Sequence, residues 1–331
     1  MDTRRLGRTR LTVSRIGLGL AALGRPGYIN LGHAADLRDD YAVAAMERGA
    51  HAVLDAAWDG GCRYFDAARS YGRAEQFLAT WLSARGIAPG AATIGSKWGY
   101  TYTAEWRVAA AKHEIKDHSL PRLQRQLEES RSLLGPHLAL YQIHSATLDS
   151  GVLDAADVLQ ALARMRHDGI AIGLTLSGPR QADTLRRAMD VQVDGERVFD
   201  CVQATWNLLE RSAGGALAEA HEAGWGVIVK EALANGRLTD RNDDPAFAAR
   251  RRALEAAARS LEGTVDAVAL AAVLAQPWAD VVLSGAATAA QLRANLAAIN
   301  LRWNDDAAAL LGDLTEPAEE YWRTRSGLPW N

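Results

Sequence analysis

The chain has 331 residues, 48% apolar and 23% charged, which is the balance of a folded globular protein and not of a disordered one. Lys and Arg number 37 against 40 Asp and Glu, a formal net charge of -3, so no basic excess exists to attract nucleic acid or an anionic membrane. Two cysteines, Cys62 and Cys201, are too few for a disulfide framework or a cysteine metal site, and their apolar surroundings read as reduced core.

Taken in chain order, Met1–Arg5 leads into no apolar signal-peptide core. Val13–Leu18 reads as the first strand, followed by an irregular segment over Arg25–Asp40. Arg63–Phe65 and Thr93–Ser96 are the second and third strands, and Trp98–His118 is a second irregular segment. Leu120–Leu134 has apolar residues at 120, 123, 127, 133 and 134, the spacing of one helix face. Ala139–Ile143 is the fourth strand. A helical run, Ala155–His167, stops at Asp168-Gly169 ahead of the fifth strand, Ala171–Thr175. Cys201–Gln203, Gly226–Val229 and Asp280–Leu283 complete a set of eight. The chain from Pro245 and the tail Arg302–Asn331 read as irregular, with an amphipathic helix at Thr288–Ile299 between them. The tail's Trp303, Tyr321, Trp322 and Trp330 are expected to pack on the body of the protein, either as core closure or as a pocket wall.

The strands are short and continuously apolar, as suits strands buried on both faces of a parallel sheet. Eight β-then-α units predict a (β/α)8 TIM barrel in one domain over residues 1–331, with long loops at its C-terminal face and a packed C-terminal tail. The competing doubly wound sheet lacks its fingerprint, since Gly17-Leu18-Gly19 supplies only a lone GxG. No stretch approaches about 18 uninterrupted apolar residues, so no membrane helix is expected and the default location is the cytoplasm.

Polar residues stand where these apolar strands end. Strand two runs into Asp66 and then Tyr71-Gly72, strand three into Lys97, and strand four into His144. Such groups are costly to desolvate unless paired. Around a barrel axis Asp66 and Lys97 could pair, Lys97 beside Tyr71 would lower the phenol's pKa, and His144 could orient a carbonyl. That is a proton-donating set for carbonyl reduction. Each residue also has a structural alternative. Asp66 could cap a helix, Tyr71 could line a core, Lys97 could meet a surface acid, and His144 could be a satisfied core histidine.

With these residues in place, the chain resembles the aldo-keto reductases over nearly its whole length. The resemblance rests on Leu6-Gly7-Arg8-Thr9 through Gly19, which is similar to that family's N-terminal hairpin and first strand. It rests also on Asp66 and Tyr71 at the family's separation, on Lys97 and His144, on Gln203 through Leu209, and on Ser284 through Asn295. The resemblance implies an NAD(P)-dependent oxidoreductase acting on a small carbonyl or sugar-like substrate. In it Tyr71 is general acid, Lys97 and Asp66 tune it, and His144 orients the carbonyl. It places Gln203 on the nicotinamide carboxamide and Gln291 and Asn295 near the adenine. Thr175 stands where the family has Ser, Lys230 where it often has a stacking aromatic, and Leu233, Asn235 and Gly285 along the cofactor channel. Trp98, Tyr100 and Trp206 are the expected substrate-pocket aromatics. No metal is implied.

The cofactor's 2′-phosphate lacks an evident clamp. Gly285, Ala286, Ala287 and Gln291 carry no positive charge, which leaves Arg293, Arg237 and Arg241 as candidates and NAD used at least comparably with NADP as the expectation. Two other functions remain open on sequence. One is a cofactor-binding regulatory subunit of the same fold. The other is a Schiff-base lyase using Lys97 or Lys230. The pattern sets no oligomeric state.

Overall fold

The computed structural model describes residues 1–331. Eight parallel strands close a barrel: β1 Ile16–Gly19, β2 Tyr64–Asp66, β3 Thr93–Trp98, β4 Leu138–Ala146, β5 Ala171–Leu176, β6 Cys201–Thr205, β7 Gly226–Lys230 and β8 Val281–Ser284. Each pairs with its sequence neighbour, and β8 closes on β1. Helices fill the connections, among them Val43–Asp59, Ala74–Ala84, Leu120–Leu134, Ala156–His167 and Ala289–Leu296. None is long and apolar enough to cross a membrane.

Strand periodicity explains the two-sided burial. Outward residues such as Phe65, Ile94, Ile143, Leu174, Val202 and Val282 meet the surrounding helices in the main core. A second set packs inside the lower barrel: Leu6, Val13, Tyr64, Leu140, Cys201, Ile228, Val281 and Leu283. Both cysteines are buried and free.

The expected first strand divides in two. Thr12–Ser14 pairs antiparallel with Thr3–Arg5, and only Ile16–Gly19 joins the barrel. The hairpin's turn residue Gly7 (φ +52°) lies so close to Gly226 that a Cβ there would stand 2.3 Å from its nitrogen, so the turn seals the N-terminal end. Three segments expected to be irregular contain regular structure. A hairpin pairs Tyr100–Tyr102 with Glu114–Lys116, a short helix spans His33–Leu37, and helices span Ala248–Ser260 and Val265–Leu274. The last is buried nearly all round, so it shows no amphipathic period to read. The tail forms helices at Asp305–Leu310 and Ala318–Ser326, and Tyr321 and Trp322 close a satellite core with Phe247, Leu254 and Val268.

Strand register sets the site. Asp66 lies beside Gly95, Lys97 beside Gln142, and Gln203 beside Thr175. These positions bring polar side chains from β2, β3, β4 and β6 together at the C-terminal mouth.

Candidate active site

Asp66 is the hub. Its Oδ1 accepts from Tyr64 Oη (3.0 Å), Gln203 Nε2 (3.0 Å) and Gln142 Nε2 (3.2 Å), and its Oδ2 pairs with Lys97 Nζ. Lys97 is fully buried and also donates to the carbonyl of Ala67 (2.9 Å) and to Tyr71 Oη (3.3 Å). The lysine thus occupies a lone pair of the phenol and leaves its O–H proton free for another acceptor. The His144 ring stands edge-on to Tyr71, centroids 5.4 Å apart. The structure therefore brings Asp66, Lys97, Tyr71 and His144 to one place.

The electrostatics differ from the sequence expectation in one respect. Burial, reinforced by the Asp66 charge, pushes the Tyr71 phenol well above its ordinary value. Lys97 does not pull it down, because its charge is spent on Asp66 in a pair removed from water. Burial lowers Lys97, and Asp66 opposes that shift. His144 falls well below the ordinary histidine value through burial and the nearby charges of Lys97, Arg25 and Lys230. The site thus holds a phenol and a neutral imidazole.

Asp66, Tyr71 and His144 line one cavity that runs on to Gln291 and Asn295, with Lys97 buried behind them. Thr175, Gln203, Lys230, Leu233, Asn235, Gly285 and Tyr100 also face it. Lys230 donates to Thr205 Oγ1 (2.8 Å) and is lowered to about 8 by burial. Gln291 accepts from the backbone of Ala287 and Thr288 at the start of its helix and donates to Asp36 Oδ1 (2.9 Å). Asn295 donates to Ser284 Oγ (2.8 Å).

Two expected pocket aromatics lie elsewhere. Trp98 follows inward-facing Lys97, so strand alternation turns it outward, fully buried beneath the helices. Trp206, just beyond β6, packs edge-on to Trp278, centroids 5.6 Å apart. Tyr100 lines the cavity as expected, together with Tyr28 and the tail's Trp330.

Arg25 and Glu231 line the cavity although the sequence does not single them out, beside Arg241, which it does. Arg25 is buried, donates to Glu114 Oε1 (2.6 Å) and lies against the rings of Tyr28, Tyr71 and Trp330. Glu231, strained at φ +56°, pairs with Arg325 of the tail (2.6 Å). Burial opposes its ionisation, yet Arg325 and Lys230 bring it down to about 2. Arg241 reaches across to Asp36 in a bidentate pair at 2.7 and 2.5 Å. The one available signal was a lone arginine in the apolar run Leu20–Tyr28; the other pairs join segments far apart in the chain.

Known proteins resemble this chain to different degrees. A chain from Bacillus halodurans, an aldo-keto reductase in its holo form, superposes with a TM-score of 0.72 at 20% identity, covering 97% of this chain and 99% of that one. A glycerol dehydrogenase from Gluconobacter oxydans gives 0.71 at 23% identity, over 95% and 94%. Pyridoxal 4-dehydrogenase of Microbacterium luteolum is 32% identical over 208 residues, 56% of this chain and 52% of that relative, so the match spans about half of its length. The uncharacterized oxidoreductase YrpG of Bacillus subtilis is 26% identical over 95% of this chain and 96% of its own. The sequence profile described as the aldo/keto reductase family matches residues 15–316, and the chain belongs to that family of oxidoreductases.

Proposed function

We propose that the protein is an NAD(P)-dependent oxidoreductase that interconverts a small aldehyde, ketone or aldose with its reduced or oxidised partner, with Tyr71 giving and taking the proton. The carrying observation is the Lys97–Tyr71 contact of 3.3 Å beside His144 in a cavity long enough to continue to Gln291. The channel's donors and acceptors fit a dinucleotide. Asn235 Oδ1 is buried without a partner, Gln203 has its amide nitrogen on Asp66, and Thr175 has a hydroxyl proton left to donate. Bound there, the nicotinamide supplies or accepts the hydride. Gln203 and Thr175 hold its carboxamide, Lys230 flanks the ring, Leu233, Asn235 and Gly285 line the middle, and Gln291 and Asn295 flank the adenosine end. Tyr71 and His144 both bond the carbonyl oxygen, and Tyr71 delivers its proton as negative charge develops there.

The Asp36–Arg241 pair supports use of NAD at least comparably with NADP. Arg237 is held by Glu316 and Arg293 is exposed off the cavity, so Arg241 is the arginine within reach, and its guanidinium is already taken. A 2′-phosphate would have to break that pair and lie beside a carboxylate.

Schiff-base chemistry at Lys97 is disfavoured by the three acceptors that hold its amine. The test runs in both directions: oxidation of NADH or NADPH by a panel of aldehydes and ketones, and reduction of NAD or NADP by lactols and alcohols. The panel includes pyridoxal, after the relative's name, with borohydride trapping in parallel. Cofactor turnover in either direction that Tyr71→Phe abolishes supports the reading; a trapped lysine adduct without cofactor turnover overturns it.

A further inference from the structure

His144 sits on an irregularity in β4. Its neighbours pair in register at Ile143↔Leu174 and at Ala146↔Leu176, so His144 and Ser145 together face Thr175 alone. The extra residue forces Ser145 to φ +53° and takes these backbone groups out of the ladder. Side chains satisfy them instead. Thr175 Oγ1 accepts from Ser145 N–H (2.8 Å), Lys116 donates to the Ser145 carbonyl (2.8 Å), and His118 Nε2 donates to the His144 carbonyl (2.9 Å). His118 is neutral, lowered to about 4 by burial, so its one N–H is the donor. Its ring lies against Gly99, where a Cβ would stand 2.3 Å away.

The His144 ring packs against the Tyr71 and Tyr100 rings, centroids 5.4 and 5.0 Å away, and has a single hydrogen-bonding partner. Nδ1 lies 3.4 Å from Ser70 Oγ; Nε2 makes no hydrogen bond within the protein, and the residue lines the cavity. Ser70 is fully buried, and its hydroxyl has no other partner. If that hydroxyl accepted from Nδ1–H, its own proton would be stranded; donating to a bare Nδ1 satisfies both groups. A neutral imidazole with Nδ1 as acceptor carries its proton on Nε2, which faces the substrate.

We propose that Ser70 and His118 are positioning residues for His144: Ser70 fixes its tautomer and His118 its backbone, so that Nε2–H is aimed at the substrate carbonyl. This rests on the carbonyl-reductase reading for its consequence in turnover, but the tautomer itself is measurable without substrate. Neither residue touches the reacting atoms.

The experiment is 15N NMR of protein labelled at its eight histidines, with the His144 signals identified by their loss in His144→Gln. Wild-type protein should show an Nε2–H tautomer at His144. Ser70→Ala should give a mixture of tautomers, with kcat lowered about tenfold and the dissociation constant of the reduced cofactor within about twofold. His118→Phe keeps a ring but not the donor and should lower kcat similarly; His118→Gln, which restores an N–H, should recover most of it. An Nδ1–H tautomer in wild type overturns the proposal, whatever the variants do. So does a Ser70→Ala protein that keeps the wild-type spectrum and kcat. Should no carbonyl be turned over by wild type, the functional reading fails while the NMR result still decides the role of Ser70.

Discussion

Lys97 donates to the Tyr71 hydroxyl from 3.3 Å while its charge is matched by Asp66 in the same buried pocket. The contact therefore aims the phenol proton without making the phenol acidic. Tyr71→Phe keeps the ring and removes the proton donor. Turnover should fall about 100-fold or more with cofactor affinity preserved, measured by steady-state assay and fluorescence titration. Near wild-type turnover would exclude Tyr71 as the acid.

Lys97→Met leaves Asp66 unmatched beside the phenol. The apparent pKa of the acid should rise further and oxidation of the alcohol, which needs the phenolate, should suffer more than reduction at neutral pH. Profiles of kcat/KM against pH in both directions give the answer; equal losses in both would contradict it.

The dissociation constants of NADH and NADPH, read through the chain's ten tryptophans, should not favour NADPH by more than about 100-fold, or about 2.7 kcal/mol. Asp36→Asn frees Arg241 from its carboxylate and should tighten NADPH about tenfold with little change for NADH. No change in the ratio would mean Arg241 does not reach the phosphate.

Glu231, at about 2, should contribute stability that depends on pH. Its folded value is depressed, so the contribution is complete above the unfolded value near 4.5 and is lost as pH falls from there toward 2. The total is about 3 kcal/mol. Glu231→Gln should flatten the stability profile between pH 5 and 2, observed by denaturant melts; an unchanged slope would assign the acid loss to other groups.

Asp66, Lys97, Tyr71 and His144 were legible because each interrupts or follows an apolar run at a strand end, where burial would otherwise be penalised. Trp98 was misplaced because aromatic composition carries no parity, whereas the strand does: one residue after an inward lysine faces outward. The direction of the Tyr71 shift depends on how completely Asp66 neutralises Lys97 and on burial, neither of which is written in spacing. The Arg25–Glu114, Glu231–Arg325 and Asp36–Arg241 pairs join segments separated by scores of residues, and like-looking arginines elsewhere in the chain make them indistinguishable in advance.

The tail residue Trp330 stacks on His113 at 3.9 Å, and Asn331 exchanges backbone hydrogen bonds with Tyr28, so three separate loops interlock over the mouth before any substrate arrives. Little conformational freedom is then left to lose on binding. Discrimination rests on fit to a standing shape, and the range of compounds accepted should be narrow, with poor ones rejected through weak binding more than through slow rearrangement.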